Sequence, residues 1–339
     1  MSTHRPVPFI SPYGQAYALI IQNLTPGSEH VRWDFDKLQT FKIIFISIIL
    51  EALPFLLIGV LVSAILQSFV SDKLIGKLTP KHPIAGALFG SLLGIVLPLC
   101  ECGMIPIVRR LIRKGLPPYI GLTYIVAGPI LNPVVVGATF AAFRANRELA
   151  YSRFYLAFLV SFALGLLLYY FMKTNPMKTE SHLHDHHHHH HHHHHDPAPG
   201  SPFMSKLAHT PGHAAEEFFD MGKFLLFGAF ITALLQTIIS RQAISAVADH
   251  DVGSQLFMMG LAYVLSLCST SDAFVAASFS SMFPPTALLA FLVFGPMVDL
   301  KSTLMLLSVF RRKFVLAFIL LLFALVWIGS IVFGELGWV

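Results

Sequence analysis

The stretch Leu-Pro-Leu-Cys-Glu-Cys-Gly, from Leu97 to Gly103, decides how the rest of the chain is interpreted, because it places two thiols and a carboxylate at the end of a long apolar run. Pro98 removes a backbone donor and Gly103 weakens a helix, so we expect a helix to open here. Opening would let Cys100 and Cys102, which point to nearly opposite sides of an intact helix, face one cavity. The alternative is a kink whose cysteines pack as small apolar side chains.

The composition is that of a membrane protein. Of the 339 residues, 55% are hydrophobic and only 12% are charged, and the mean hydropathy is +0.68. Soluble domains carry about 25% charged residues, so we expect the lipid bilayer to be a partner of this chain. All three cysteines lie in apolar segments, which excludes a secreted disulfide framework. The formal net charge of +5 is spread over short loops, which argues against nucleic-acid binding.

About eight apolar segments predict an all-α membrane protein. They are Phe41–Val70, Ile84–Val108, Tyr119–Phe143, Phe154–Met172, Phe218–Ile239, Leu256–Met282, Thr286–Phe310 and Phe314–Val332. The chain then divides into an N-terminal polar or interfacial segment (1–40), a first transmembrane repeat (41–172), a histidine-rich linker (173–216) and a second transmembrane repeat (217–339).

The two groups of four segments match as an internal repeat. Phe55-Leu-Leu-Ile-Gly59 matches Phe224-Leu-Leu-Phe-Gly228, and further pairs follow in order: Glu51 with Asp220, Cys100 with Cys268, Pro117 with Pro284, Gly128-Pro129 with Gly295-Pro296, and Asn132 with Asp299. Four is an even number, so we expect parallel repeats with both termini and the linker on one side. A re-entrant hairpin arrangement of the second and third segments stays open, although only a short apolar stretch separates Gly103 from Arg109.

Duplicated transporters bind their substrates on broken helices at the repeat interface. The predicted helix-break residues are Pro98, Gly103, Gly128, Pro129, Pro133, Gly295 and Pro296. The substrate-binding candidates are Cys100, Glu101, Cys102, Cys268, Asp272, Asn132 and Asp299. Thiolates select soft ions over Mg²⁺ or Ca²⁺, and the carboxylates add oxygen ligands or proton carriers. Helix capping is an equal alternative for Asn132 and Asp299, and for Glu51 and Asp220 we favour a role at a helix start.

The linker carries an unbroken histidine run from His186 to His195, flanked by further histidines and aspartates. Neutral imidazole binds zinc and similar ions, so we expect loose metal binding by His182, His184, His186, His190 and His195. The run lacks the spacing of a structural zinc site, which favours buffering or sensing over translocation. It also resembles an expression tag, but its internal position favours a natural tract.

The Pro-x-Cys-x-Cys-Gly-x-x-Pro pattern from Pro98 to Pro106, with the Cys-Ser-x-Ser-Asp pattern from Cys268 to Asp272, resembles the bacterial predicted-permease family that includes the ArsP-type organoarsenical efflux permeases. The resemblance implies an eight-segment, multi-pass permease of the bacterial inner membrane, with no enzymatic activity and no cofactor. Its organoarsenical branch exports trivalent, thiol-reactive arsenicals. The residue between the two cysteines is usually small in this family, so Glu101 and the histidine run shift the expected substrate toward a divalent metal such as zinc.

Two other functions stay open. A membrane thiol oxidoreductase could use Cys100 and Cys102, although their spacing is not the usual Cys-x-x-Cys. A metal-handling membrane subunit could instead dock a partner membrane protein or metal-binding protein. The sequence has no Gly-x-x-x-x-Gly-Lys-Ser/Thr phosphate loop, so any ATP would have to act through such a partner.

Overall fold

The computed structural model describes residues 28–69, 75–76, 79–80, 82–96, 99–172, 176–177, 203–238 and 251–338. Pro98 and the histidines from His182 to His195 lie outside these residues, so what was predicted for them stays a prediction. The described part of the chain is helical and has no strand beyond an isolated antiparallel bridge between Met177 and Phe310.

The described helices follow one another as α1 (Ser28–Phe69), α2 (Pro83–Val96), α3 (Glu101–Arg113), α4 (Pro118–Leu131), α5 (Pro133–Ala142), α6 (Arg147–Phe171), α7 (Phe203–Ile238), α8 (Asp251–Leu265), α9 (Ser271–Ser278), α10 (Pro285–Met297), α11 (Leu300–Val309) and α12 (Arg312–Glu335).

Six helical spans in the described chain are long and apolar enough to cross a membrane, as an all-α membrane protein requires. They are Lys37–Ile65, Pro118–Ala142, Arg147–Phe171, Phe218–Thr237, Pro285–Val309 and Arg312–Glu335. Two of these spans each join two helices, α4 with α5 and α10 with α11. The apolar helices α2 and α8 are shorter than a membrane crossing.

The second predicted segment does not cross the membrane but returns to the end at which it began. Along α2, Gly86 lies against Tyr119 and Gly94 lies against Gly128, so α2 runs parallel to α4. At the start of α3, Met104 also lies against Gly128, and a short turn joins the end of α3 to the start of α4. Helices α2 and α3 therefore form a re-entrant hairpin, which we call the first hairpin, with the Cys-Glu-Cys motif at its tip.

Helices α8 and α9 form a second re-entrant hairpin. Phe257, near the start of α8, and Phe279, which follows the end of α9, both contact the ring of Phe283 just before α10. Deeper in the membrane, Gly295 of α10 lies against Ala262 of α8. The second hairpin therefore opens at the end of the molecule where α10 begins.

The two hairpins enter from opposite ends. Helix α6 ends beside the start of α4, where the rings of Tyr169 and Tyr119 meet edge to face. Met177 then forms a backbone bridge with Phe310. The first hairpin opens at this same end, which carries the runs Arg109–Lys114 and Arg311–Lys313 and which we call the basic end. The second hairpin opens at the opposite end.

Each half has three of the six candidate membrane spans, so the predicted four crossings per half and the parallel repeat are not confirmed. Helix α1 runs with α3 toward the basic end, because Ser63 donates to the carbonyl of Pro106. Helix α7 runs away from the basic end. Its residue Met221 lies beside Ser308, near the basic end, and its later residue Phe230 lies beside the first part of α1. The prediction had counted each hairpin as one crossing, which gave an even number of crossings in each half. With three crossings per half, the linker joins helices at the basic end, whereas α1 starts and α12 finishes at the opposite end.

The helix breaks lie next to the predicted residues rather than at them. Helix α4 continues through Gly128 and Pro129 and ends at Leu131, which corrects the predicted break. Asn132 leaves the helix with φ −63° and ψ 130°, because Pro133, which begins α5, disfavours helical backbone in the preceding residue. In the second half Gly295 and Pro296 likewise lie inside α10, and the chain leaves the helix at Val298.

Gly103 also lies inside a helix, and its role is close packing rather than helix breaking. A Cβ on Gly59 of α1 would overlap the backbone of Gly103, just as a Cβ on Gly94 would overlap Gly128. Small residues at such crossings let membrane helices approach closely. The contact of Gly59 with Gly103 thus brings α1 against the first hairpin, and the contact of Gly94 with Gly128 brings α4 against it.

Candidate functional site

The starts of four helices meet inside the protein. Helix α3 begins at the tip of the first hairpin, α9 begins at the tip of the second, and α5 and α11 begin at the breaks in two membrane spans. Helix α3 packs against α11 and α5 packs against α9, so each contact joins the two halves. The tips also touch directly, since the Ser269 hydroxyl donates to the Glu101 carboxylate at 3.2 Å.

The two tips share one backbone arrangement. The carbonyl of Cys100 accepts bonds of 3.1 Å from the amides of Gly103 and Met104, and the carbonyl of Cys268 accepts bonds of 2.9 Å from the matching amides. Each cysteine therefore sits where its helix begins. In the second tip the chain leaves α8 at Ser266, whose positive φ of 47° is rare for a residue other than glycine.

The three thiols do not form one ligand set. Cys102 is buried and lies against the thiol of Cys100, whereas the Cys268 sulfur lies 3.5 Å from the hydroxyl of Thr270. None of the three is in a disulfide. Within the described ranges, no group of three or more His, Cys, Asp or Glu side chains could hold a metal ion. The tips provide a thiol pair and a separate single thiol.

Glu101 lies between the thiols in a charged cluster. It is only 6% exposed, and it interacts electrostatically with Asp299, Cys102 and Lys301. The ammonium of Lys301 is 3.6 Å from the carboxylate of Asp299. A buried carboxylate is stable only with partners, and Glu101 has both a hydroxyl donor and a nearby cation.

Asp272 is held in an ion pair. Arg153 of α6, which is fully buried, donates to both Asp272 oxygens at 2.8 and 3.1 Å. The same guanidinium donates to the Thr139 hydroxyl at 2.8 Å and to the Ser269 carbonyl at 3.3 Å. Arg153 therefore ties the second tip to α5 and α6. With its charge paired to Arg153, Asp272 helps to hold the second tip in place.

Asn132 and Asp299 both cap helices, as the alternative reading proposed. The side chain of Asn132 accepts from the amide of Val134 at 2.9 Å at the start of α5. The side chain of Asp299 accepts from the amide of Ser302 at 2.6 Å, and the Ser302 hydroxyl accepts from the amide of Asp299 in return. This reciprocal pair is a capping box.

Arg153 and Lys301 are buried charged residues beside the candidate site that the sequence analysis missed. Arg153 stands just before Phe154, where the fourth predicted apolar segment begins, so no predicted segment contains it. Lys301 lies inside an apolar segment, two positions from Asp299, and a charge in such a place is a signal that could have found it.

Glu51 was assigned to the wrong role. It lies midway along the first membrane span, inside α1, and interacts electrostatically with Cys268 and Lys301. Its match in the repeat, Asp220, also lies within a helix, where it is exposed and pairs with Lys223 at 2.9 Å. Neither residue starts a helix, because both helices begin well before the apolar segments do.

Comparisons with known proteins identify a family of predicted membrane permeases. Residues 37–335 match a family described as "Predicted permease". The chain is 45% identical over 289 residues to the UPF0718 protein YcgR of Bacillus subtilis, covering 85% of this chain and 95% of that protein. It is 35% identical over 279 residues to a Streptococcus mutans protein named putative two-component membrane permease complex subunit, covering 81% of this chain and 89% of that protein. No solved structure is significantly similar.

Proposed function

Because the chain belongs to the predicted-permease family and is a multi-pass bacterial membrane protein, we propose that it carries a thiophilic metal or metalloid across that membrane. Transport takes place between the two hairpin tips and involves no chemical conversion of the substrate. The thiols bind the substrate in transit rather than exchange disulfides with it.

The observation that carries this proposal is the pairing of Cys100 and Cys102 at the tip of the first hairpin. Cys100 and Cys102 lie side by side at the opening of a helix, next to the buried carboxylate of Glu101, so both sulfurs can reach one ligand. Sulfur ligands favour soft metals and metalloids. The neighbouring polar groups come from both halves, as expected of a transport site at a repeat interface.

The thiol pair favours a trivalent arsenical over zinc as the substrate. Two sulfurs satisfy an arsenical that carries one organic group, whereas zinc requires four ligands. The sequence argument for a divalent metal used Glu101 as a ligand, together with the histidine run, which lies outside the described residues. That carboxylate already accepts a bond from Ser269 and interacts with Lys301, so part of its capacity as a metal ligand is taken up by the protein itself.

The two halves act as an inverted repeat in this proposal. Glu101 and Ser269 occupy the same position after their matching cysteines, and they bond to each other, as residues on a pseudo-twofold axis must. The contacts of α3 with α11 and of α9 with α5 are exchanged by the same axis. An axis in the membrane plane gives each half access from its own side.

A cysteine series in proteoliposomes tests the thiol site. We expect the Cys100→Ser and Cys102→Ser variants to lose methylarsenite flux by roughly tenfold or more each, because a single sulfur cannot hold the substrate. Cys268→Ser, the matched control in the second tip, should retain more flux than either. Zinc flux measured in parallel separates the two substrates. Wild-type flux in the Cys100→Ser, Cys102→Ser double variant would refute the site.

A second candidate function is that of one subunit in a two-component permease. The name of the Streptococcus mutans relative supports it. In this case the purified chain alone would give no flux in proteoliposomes, and flux would return when a second membrane protein that copurifies with it is added. Full flux from the chain alone would exclude this candidate.

A further inference from the structure

The two ends of the molecule are packed differently around the site. Helices α1 and α7 lie against each other along the membrane and pack on α3 and α11, which occupy the half of the membrane nearer the basic end. Gly59 contacts Gly103, Ser63 bonds to Pro106 at 3.4 Å, and Gly228 lies against Lys301. The described helices therefore close the path from the site to the basic end.

The half of the membrane nearer the opposite end lacks this packing. There α5 and α9 present a surface to which α1 and α7 make no comparable contact among the described residues. Val134 is 64% exposed and Phe274 is 54% exposed. A Cβ on Gly137 would meet no atom within 4 Å. We call Val134, Gly137, Ser271 and Phe274 the α5/α9 surface.

The repeat gives every closing contact at the basic end a counterpart on the α5/α9 surface. Counting from Gly59 and Gly228, Ser63 matches Thr232, and counting from the two cysteines, Pro106 matches Phe274. Gly103 matches Ser271 in the same way. Ser63 bonds to the Pro106 carbonyl, whereas the hydroxyl of Thr232 is buried and has no hydrogen-bond partner in the described structure.

We propose that the α5/α9 surface binds the α1–α7 helix pair in a second conformation, in which Thr232 donates to the carbonyl of Phe274. The pair leaves α3 and α11 as it packs on α5 and α9, so the thiol pair closes to the opposite end and opens to the basic end. This inference rests on the proposed transport function and adds its conformational cycle. A buried hydroxyl without a partner is costly, and the second conformation supplies the partner.

The arrangement also explains Glu51. It is an exposed carboxylate in the middle of a membrane span, and its electrostatic partners Cys268 and Lys301 belong to the site. A carboxylate at this depth is stable only where it faces water or a partner. In the structure described here Glu51 lies on the open side of the closing contacts, which begin one turn further along α1 at Phe55.

Disulfide cross-linking tests the two conformations with matched pairs. In a variant with serine at the three native cysteine positions, Ser63→Cys with Pro106→Cys joins residues in contact here, and Thr232→Cys with Phe274→Cys joins their counterparts. We expect both double variants to cross-link in liposomes, each in a fraction of molecules. Cross-linking of the first pair together with none of the second, under all ion gradients tried, would overturn the proposal.

A blocking substitution gives a second test without new cysteines. Tryptophan in Gly137→Trp has space in this structure but would obstruct the α5/α9 surface. We expect a native thiol to stay reactive to an impermeant maleimide from the opposite end, while methylarsenite and zinc flux fall by roughly tenfold or more. Gly260→Trp, at another position with no atom within 4 Å, is the control and should transport normally.

These readouts separate the conformational cycle from the proposed substrate. Labelling and cross-linking report movement whichever solute is carried, so absence of wild-type flux for both probes would refute the substrate alone. Normal flux in the Gly137→Trp variant would refute the second conformation alone.

Discussion

The two hairpin tips occupy matching positions in the predicted sequence repeat, yet different forces hold them. The first tip, at Cys100, is held by close backbone packing of Gly103 on α1. The second tip, at Cys268, is held by the buried pair of Arg153 and Asp272. Packing between glycines can be released by a helix shift, whereas a buried ion pair resists separation. The first tip therefore has a contact that α1 can release, whereas the second tip is fixed to α6 by a buried ion pair.

Removing the ion pair should have the largest effect. Asp272→Ala leaves the Arg153 guanidinium buried without a counter-charge, and we expect it to destabilise the fold by about 3–5 kcal/mol. Thermal unfolding in detergent measures the loss. The double substitution Arg153→Met with Asp272→Met should be less damaging than Asp272→Ala alone, and equal damage would mean that the charge pair does not hold the second tip.

Filling the glycine contact should have the next largest effect and should act on the other tip. Gly103→Val forces α3 away from α1, and overpacking of this kind costs about 1–3 kcal/mol. Gly137→Ala is the control, since its added methyl group meets no neighbour. If both variants unfold at the wild-type temperature, close packing is not what holds the first tip.

The bond between the tips should contribute less than either anchor. Ser269→Ala removes the hydroxyl that donates to Glu101, and hydrogen bonds to charged groups contribute about 1.5–3 kcal/mol. Because Lys301 remains, we expect the low end of that range. Pairing the substitution with Glu101→Gln in a double-mutant cycle measures the coupling, and purely additive losses would show that the tips are independent.

The helix caps should give the smallest change. Asn132→Ala removes the acceptor for the Val134 amide and should cost about 1 kcal/mol. Asn132→Asp keeps an acceptor, as Asp299 does in the second half, and should unfold near the wild-type temperature. A large loss of substrate affinity in Asn132→Asp with unchanged stability would instead favour a binding role for this residue.

The sequence predicted the membrane class and the meeting of the breaks because both depend on local composition. A charged motif within an apolar run, as at Glu101, can be recognised without knowing its neighbours. The predicted repeat also matched Cys100 with Cys268. What the sequence could not provide was the direction of each helix, since apolar length alone does not distinguish a crossing from a hairpin whose two arms share one segment.

The sequence also could not predict contacts between residues that are far apart in the chain. Arg153 and Asp272 pair across the two halves, and nothing in the local sequence of either identifies the other. Gly128 and Pro129 were assigned to a break because such residues weaken helices. In the structure Gly128 faces another helix, and the break lies at the residue before Pro133. Tertiary contact decided both cases.

The opposite orientation proposed for the two halves has a consequence for membrane insertion. Basic residues tend to remain on the cytoplasmic side, so with the basic end on that side the run Arg109–Lys114 would retain the first hairpin there during synthesis. The matching stretch of the second half, Ala277–Met282, contains no charged residue, and the second half carries its basic run at Arg311–Lys313 instead. Basic residues placed at Ala277–Met282 would direct the second hairpin to the same face of the membrane as the first. Three crossings per half do not permit that arrangement.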